Sequence, residues 1–233
     1  MSQFDYSKVP GMVDVSTVQT FCGKAENDLL VDIVKKYSCI CASPMPAYTK
    51  YVIDRLADRP DILVTGVVSF PAGVEDRFIK EATTKDQIAL GCREIDMVAS
   101  VGFLKDKAYD RYCDDIRAVV EAACGVPVKA IIEQCYLDDD EICRASELCA
   151  EAGAAFVKTG TGWGPKPTTV HTIELIKKTV GDAVKIKAAG GVRSLDTLVE
   201  MAAAGCDRFG IGYRTAPAIL EEAAEKARLA AAK

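Results

Sequence analysis

The stretch Ala154-Ala155-Phe156-Val157-Lys158-Thr159-Gly160-Thr161-Gly162 decides the fold. A short apolar run ends in a lysine, and a Gly/Thr loop follows at once. About thirty residues later the arrangement returns as Val184-Lys185-Ile186-Lys187-Ala188-Ala189-Gly190-Gly191-Val192-Arg193. Such runs read as buried parallel strands, each delivering a lysine at its C-terminal end into a glycine-rich loop. Working outward, apolar runs alternate with amphipathic segments along the whole chain. The expected strands are Gly11–Val15, Ser38–Ala42, Ile62–Val68, Glu94–Ala99, Val126–Ile132, Ala154–Lys158, Val184–Ala188 and Asp207–Gly210. Helical patterns fill the gaps at Asn27–Tyr37, Pro46–Ala57, Lys80–Leu90, Ala108–Cys124, Asp139–Ala152, Thr169–Val180, Leu195–Ala204 and Pro217–Leu229. Eight strands alternating with eight helices imply an α/β fold, a closed (β/α)8 TIM barrel forming a single domain over residues 1–233. An open doubly wound sheet is the alternative. The GxGxxG fingerprint is missing after the first strand, which weighs against it. Gly91, Gly153 and Gly205 sit where helices should stop, and Ser194 is placed to cap one.

Composition narrows the function. The 233 residues carry a net charge of -5, with 49% hydrophobic and 27% charged residues. No basic run exists to neutralise phosphates, so nucleic acid is not an expected partner. No apolar stretch approaches a membrane span, so no membrane partner is expected. Met1-Ser2-Gln3-Phe4-Asp5 lacks the basic and apolar regions of a signal peptide, and a cytoplasmic location is expected. The ten cysteines lie largely inside apolar strands and helices, without a CxxC motif, and read as reduced core residues. A single histidine, His171, leaves no His-based metal cluster, and neither a metal nor a cofactor is expected.

The active site of such a barrel lies at the C-terminal strand ends, where Lys158 and Lys187 fall on strands six and seven. Neighbouring strands are about 4.8 Å apart, so the two ammonium groups approach closely. Like charges in a partly dry pocket repel, and one amine loses its proton more easily. A neutral lysine amine near neutral pH is what Schiff-base formation on an aldehyde or ketone requires. Asp96, flanked by Ile95 and Met97, is a carboxylate inside an apolar strand and needs a partner. It reads either as a proton shuttle between the lysines and substrate or as an ion pair that positions Lys187. Strand parity adds a second expectation. Lys185 should share a face with Lys187, Glu94 with Asp96, and Lys129 with Ile131 and Glu133. This predicts a deeper, structural charged layer in which Glu94 neutralises Lys129 or Lys185. Finally, Gly190-Gly191-Val192-Arg193-Ser194 and Gly210-Ile211-Gly212-Tyr213-Arg214-Thr215 both lead into helices, as phosphate-binding loops do in this fold.

At these residues the chain resembles the deoxyribose-phosphate aldolase family of class I aldolases. Val157-Lys158-Thr159-Gly160-Thr161-Gly162 is similar to the family's Schiff-base lysine motif. Lys187-Ala188-Ala189-Gly190-Gly191-Val192-Arg193 is similar to its second-lysine motif, and Glu94-Ile95-Asp96-Met97-Val98 to the strand bearing its catalytic aspartate. Asp14, Cys41 with Pro44, Phe70-Pro71-Ala72-Gly73 and Lys129-Ala130-Ile131-Ile132-Glu133 are weaker matches. The resemblance implies reversible cleavage of 2-deoxyribose 5-phosphate to acetaldehyde and glyceraldehyde 3-phosphate, as part of carbohydrate catabolism. Lys158 forms the covalent intermediate, Asp96 and Lys187 relay protons, and Asp14, Cys41, Thr159 and Gly162 lie near the substrate. The implied partners are small-molecule sugar phosphates and aldehydes, with a homodimer or higher homo-oligomer allowed. Two departures stand out. The family's pair of serines after the strand-eight glycine is replaced by Gly212-Tyr213-Arg214, and Trp163 follows Gly162. The expectation is that Gly190, Gly191 and Gly212 amides still bind an anion, with charge from Arg193 or Arg214, and that Tyr213 and Trp163 reshape the cup. The alternatives are a Schiff-base aldolase on a different sugar or sugar phosphate, and a non-covalent sugar-phosphate isomerase or lyase with Asp96 as base.

Overall fold

The computed structural model describes residues 4–232; residues 1–3, on which part of the leader-peptide reading rests, lie outside the described residues. The strands are β1 (Val13–Ser16), β2 (Cys41–Ser43), β3 (Leu63–Val68), β4 (Glu94–Val98), β5 (Val128–Ile131), β6 (Phe156–Lys158), β7 (Lys185–Ala189) and β8 (Arg208–Gly212). They pair in parallel in sequence order, and β8 closes on β1, so the expected barrel is present. Around it run α1 (Lys24–Tyr37), α2 (Pro46–Arg55), α3 (Arg77–Leu90), α4 (Val101–Lys105), α5 (Tyr109–Ala122), α6 (Asp139–Glu151), α7 (Val170–Val180), α8 (Leu195–Ala203) and α9 (Ala216–Ala231). None of the described helices is long and apolar enough to cross a membrane.

Local chemistry sets the helix ends. Asp138 accepts from the Glu141 N–H while Glu141 reaches back to the Asp138 N–H, a reciprocal cap that starts α6. Ser194 caps α8 through the Thr197 N–H, as its position suggested. Several strand ends differ from expectation, and β2 starts at Cys41 rather than Ser38, because Ser38 ends α1 in a left-handed conformation. Gly11 and Met12 belong to a 3-10 helix, Tyr6–Met12, opened by the Asp5 side chain, so β1 begins only at Val13. At the other end β8 runs on to Gly212, because pairing with Ser16 of β1 extends it beyond Gly210. Helix α4 and a second 3-10 turn, Gln134–Tyr136, were also unanticipated.

Strand alternation divides the residues between two environments. Val15, Ile95, Met97, Ala130, Val157, Ile186 and Phe209 join the apolar core beneath the helices. The opposite faces turn into the barrel, and there the chain places charge: Asp14, Glu94, Asp96, Lys129, Lys158, Lys187 and Arg208, all buried.

Candidate active site

Lys158 ends β6, and its Nζ donates to Asp96 Oδ2 on β4 at 2.6 Å. Lys187, at the register position beside it on β7, donates to the same oxygen at 2.7 Å. One carboxylate oxygen therefore holds both amines. Lys187 Nζ also lies 2.6 Å from Asp14 Oδ2. Below this level Lys129 bridges Glu94 Oε2 at 2.6 Å and Asp96 Oδ1 at 3.0 Å. Thr65 donates to Asp96 Oδ1 at 3.2 Å. Arg208 completes the group, with Nε 3.0 Å from Asp14 Oδ1 and Nη2 3.1 Å from Glu94 Oε2. Glu94 thus neutralises Lys129, as parity suggested, but its other partner is Arg208. Lys185 is exposed at the start of β7 instead. The two anticipated layers are one network, joined through Asp96.

The charge balance of this network selects Lys158. Four cations (Lys129, Lys158, Lys187, Arg208) face three carboxylates (Asp14, Glu94, Asp96) in a buried space. An unpaired buried charge is costly, so one cation tends to neutralise. Arginine does not do so at any ordinary pH. Lys187 contacts two carboxylates and Lys129 three, whereas Lys158 contacts Asp96 alone. Burial depresses the Lys158 ammonium most. Asp96 opposes that effect, Lys187 and Lys129 add to it, and the pKa falls to about 8. Burial by itself would raise the two carboxyls beside it. The surrounding ammonium groups outweigh it, holding Asp96 well below the usual carboxylate range and Asp14 at about 2.

Above the network opens a cavity of about 250 Å³. Asp14, Asp96, Lys158 and Lys187 line it, with Ser16, Ser43 and Thr161. On the β7–β8 side the lining is Gly190, Gly191, Arg193, Gly212 and Thr215, with Gly162 next to Gly190. Gly190 has φ +78°, and a Cβ there would stand 2.9 Å from Gly162 Cα, so the close loop contact excludes a side chain.

Four sequence expectations need correcting. Thr159 follows Lys158, so alternation turns it away from the cavity, where it accepts the Ala189 N–H and bonds Thr168. Thr161 lines the cavity in its place. Cys41 faces inward but is fully buried beneath the cavity lining, its thiol pushed well above its usual pKa by burial. Arg214 does not line the cavity. Its guanidinium lies over the Phe21 and Tyr213 rings, 5.0 and 5.3 Å from their centroids. Tyr213 itself turns into the core, because β8 reaches Gly212 and the next residue points outward. Trp163 sits on the rim, donating to Val18 O at 2.9 Å and meeting Phe70 edge-on. Neither aromatic is among the residues that line the cavity. Sequence reasoning missed Arg208, Ser16, Ser43, Thr161 and Thr215. Thr215 carried a signal, since it stands immediately before a helix. Among the described residues one group of metal-ligand type occurs, Asp14, Cys41 and Glu94. Its carboxylates already pair with Lys187, Lys129 and Arg208.

A closed parallel barrel with a small polar cavity at its C-terminal strand ends defines an enzyme of the TIM-barrel class. The chain belongs to the DeoC/LacD aldolase family, whose model, "DeoC/LacD family aldolase", matches residues 40–214. It is 41% identical over 213 residues to the deoxyribose-phosphate aldolase of Sinorhizobium medicae, covering 91% of this chain and 86% of that one. It is 42% identical over 198 residues to deoxyribose-phosphate aldolase 1 of Staphylococcus aureus, covering 85% and 90%. Among solved structures, QR15, an aldolase, superposes with a TM-score of 0.88 at 28% identity, over 95% of this chain and 98% of that one. The deoxyribose phosphate aldolase of Aeropyrum pernix shares the fold, with a TM-score of 0.84 at 24% identity over 93% and 91%.

Proposed function

We propose that this chain is a class I aldolase that cleaves and forms 2-deoxyribose 5-phosphate, with acetaldehyde and glyceraldehyde 3-phosphate as the two aldehydes, through a Schiff base on Lys158. The observation that carries this reading is one buried amine with its pKa lowered to about 8, held by a carboxylate that also holds a second lysine. The neutral amine attacks C1 of the open-chain sugar, and loss of water leaves an iminium. The iminium draws electrons from the C2–C3 bond as the C3 hydroxyl gives up its proton, and glyceraldehyde 3-phosphate leaves. The remaining enamine is protonated at C2 and hydrolysed to acetaldehyde. Asp96 passes these protons and the Lys187 ammonium replaces them. Held far below the carboxylate range, Asp96 is a weak resting base.

For the phosphate, Gly190 and Gly191 lead into α8, where backbone N–H groups favour an anion. Arg193 supplies charge. The Thr215 side chain makes no hydrogen bond to its own helix and is free for a ligand. We assign this role to Arg193 and Thr215 rather than to Arg214. The proposed setting is the cytoplasm and carbohydrate catabolism, in keeping with ten free cysteines. A homodimer or larger assembly is supported by exposed Val74, Phe78 and Ile79 before and along α3. The test is aldol cleavage of 2-deoxyribose 5-phosphate, 2-deoxyribose and longer sugar phosphates. A preference for 2-deoxyribose 5-phosphate over the free sugar of about tenfold or more in kcat/KM is expected, given charge-assisted phosphate contacts. Faster turnover of a longer sugar phosphate would move the assignment to another sugar.

A further inference from the structure

Ser43 ends β2 and is 4% exposed. Alternation turns it inward with Cys41, and it lines the reaction cavity. Its Oγ has no hydrogen-bond partner among the described residues. The register partner on β1, Ser16, spends its hydroxyl on a long 3.5 Å bond to Ile211 O. Two other buried atoms share the unpartnered condition, and both are accounted for. Asp14 Oδ2 has the Lys187 ammonium 2.6 Å away, and Tyr112 Oη belongs to α5, away from the cavity lining. A buried hydroxyl without a partner weakens a fold, and alanine in its place would not. A cavity-facing hydroxyl of this kind is completed by a polar group of the ligand.

Its place in the ring says which group. In the closed barrel β2 lies four strands from β6, so Ser43 stands on the wall opposite Lys158. This inference rests on the aldolase reading above. There, C1 is attached at β6, the phosphate lies at the loops after β7 and β8, and the C3 hydroxyl meets Asp96 on β4. The polar group left over is the C4 hydroxyl, and the polar wall left over is β1–β2. We infer that the Ser43 hydroxyl binds this group, the C2 hydroxyl of glyceraldehyde 3-phosphate, and so selects acceptor aldehydes hydroxylated next to the carbonyl.

The test uses the full chain and Ser43→Ala in aldol addition of acetaldehyde to two acceptors. These are glyceraldehyde 3-phosphate and 3-oxopropyl phosphate, which carry the same phosphate and differ by one hydroxyl. Ser43→Ala should lower kcat/KM for glyceraldehyde 3-phosphate by about five- to tenfold, the scale of one hydrogen bond. It should leave 3-oxopropyl phosphate within about twofold of wild type, and leave Tm unchanged or higher. An equal loss on both acceptors, no loss on either, or a lowered Tm would overturn the assignment while leaving the aldolase reading intact. Failure of the wild-type chain to turn over either acceptor would overturn both.

Discussion

Replacing Lys187 with methionine removes one positive charge from the network and leaves three cations facing three carboxylates. Neutrality then no longer requires Lys158 to give up its proton, and its pKa should rise. The geometry sets the size of the effect. Both Nζ atoms bond one Asp96 oxygen, at 2.6 and 2.7 Å, so they are no more than about 5 Å apart. At an effective dielectric near 20, two unit charges at that distance repel by about 3 kcal/mol. That corresponds to roughly two pKa units. Freed from Lys187, Asp96 also attracts the remaining ammonium more strongly, in the same direction. Lys158 should therefore move from about 8 to about 10. At pH 7 the free amine would fall from about a tenth to about a thousandth of the molecules. The assay is the pH dependence of kcat/KM, which reports the free enzyme, together with the rate of borohydride-trapped adduct formation with acetaldehyde. Both rise with pH as the amine deprotonates, and both rising limbs should shift upward by about two units in Lys187→Met. A limb that stays in place, or moves down, would refute the charge-balance reasoning.

Arg208→Met removes the guanidinium that bonds both Asp14 and Glu94 and leaves these buried carboxylates without those hydrogen bonds. Such a break typically costs about 3–5 kcal/mol, and a denaturant melt should show it before any activity is measured. Arg193→Ala should raise KM for phosphorylated substrate by about tenfold, since a bond to a charged group contributes roughly 1.5–3 kcal/mol. Arg214→Ala should leave it unchanged, and steady-state kinetics on 2-deoxyribose 5-phosphate with the two variants side by side checks both statements.

The barrel was legible because the strands are apolar runs, and because Gly91, Gly153 and Gly205 mark the ends of the helices before β4, β6 and β8. Lys158, Lys187 and Asp96 were legible because charge inside an apolar strand must be answered by charge on a neighbour. Period-two alternation offered Glu94 either Lys129 or Lys185, and the structure pairs it with Lys129. The same rule, carried one residue past Lys158, turns Thr159 away from the cavity; Thr161 has the parity of Thr159 and lines the cavity only because β6 ends at Lys158 and the loop no longer alternates. Arg208 was hidden for a different reason. It follows Asp207 at the start of a strand and reads as half of an ordinary exposed pair. Its actual partners, Asp14 and Glu94, are 194 and 114 residues away and meet it only when β8 closes on β1. Closure also misled the reading of Tyr213 and Arg214. Pairing with β1 extends β8 through Gly212, so strand alternation, rather than a free loop after Gly210, sets where Tyr213 points. Ser43 carried no signal, since its significance lies in the partner it lacks.

The central claim is that Lys158 is the amine that bonds the carbonyl. Its most direct test is sodium borohydride reduction of the protein with acetaldehyde, followed by proteolysis and mass spectrometry of the lysine-containing peptides. The mechanism predicts an N-ethyl group on Lys158 at a stoichiometry approaching one per chain, and its loss in a folded Lys158→Ala variant. An adduct on Lys187, or turnover that proceeds with Lys158 unmodified and insensitive to borohydride, would contradict it.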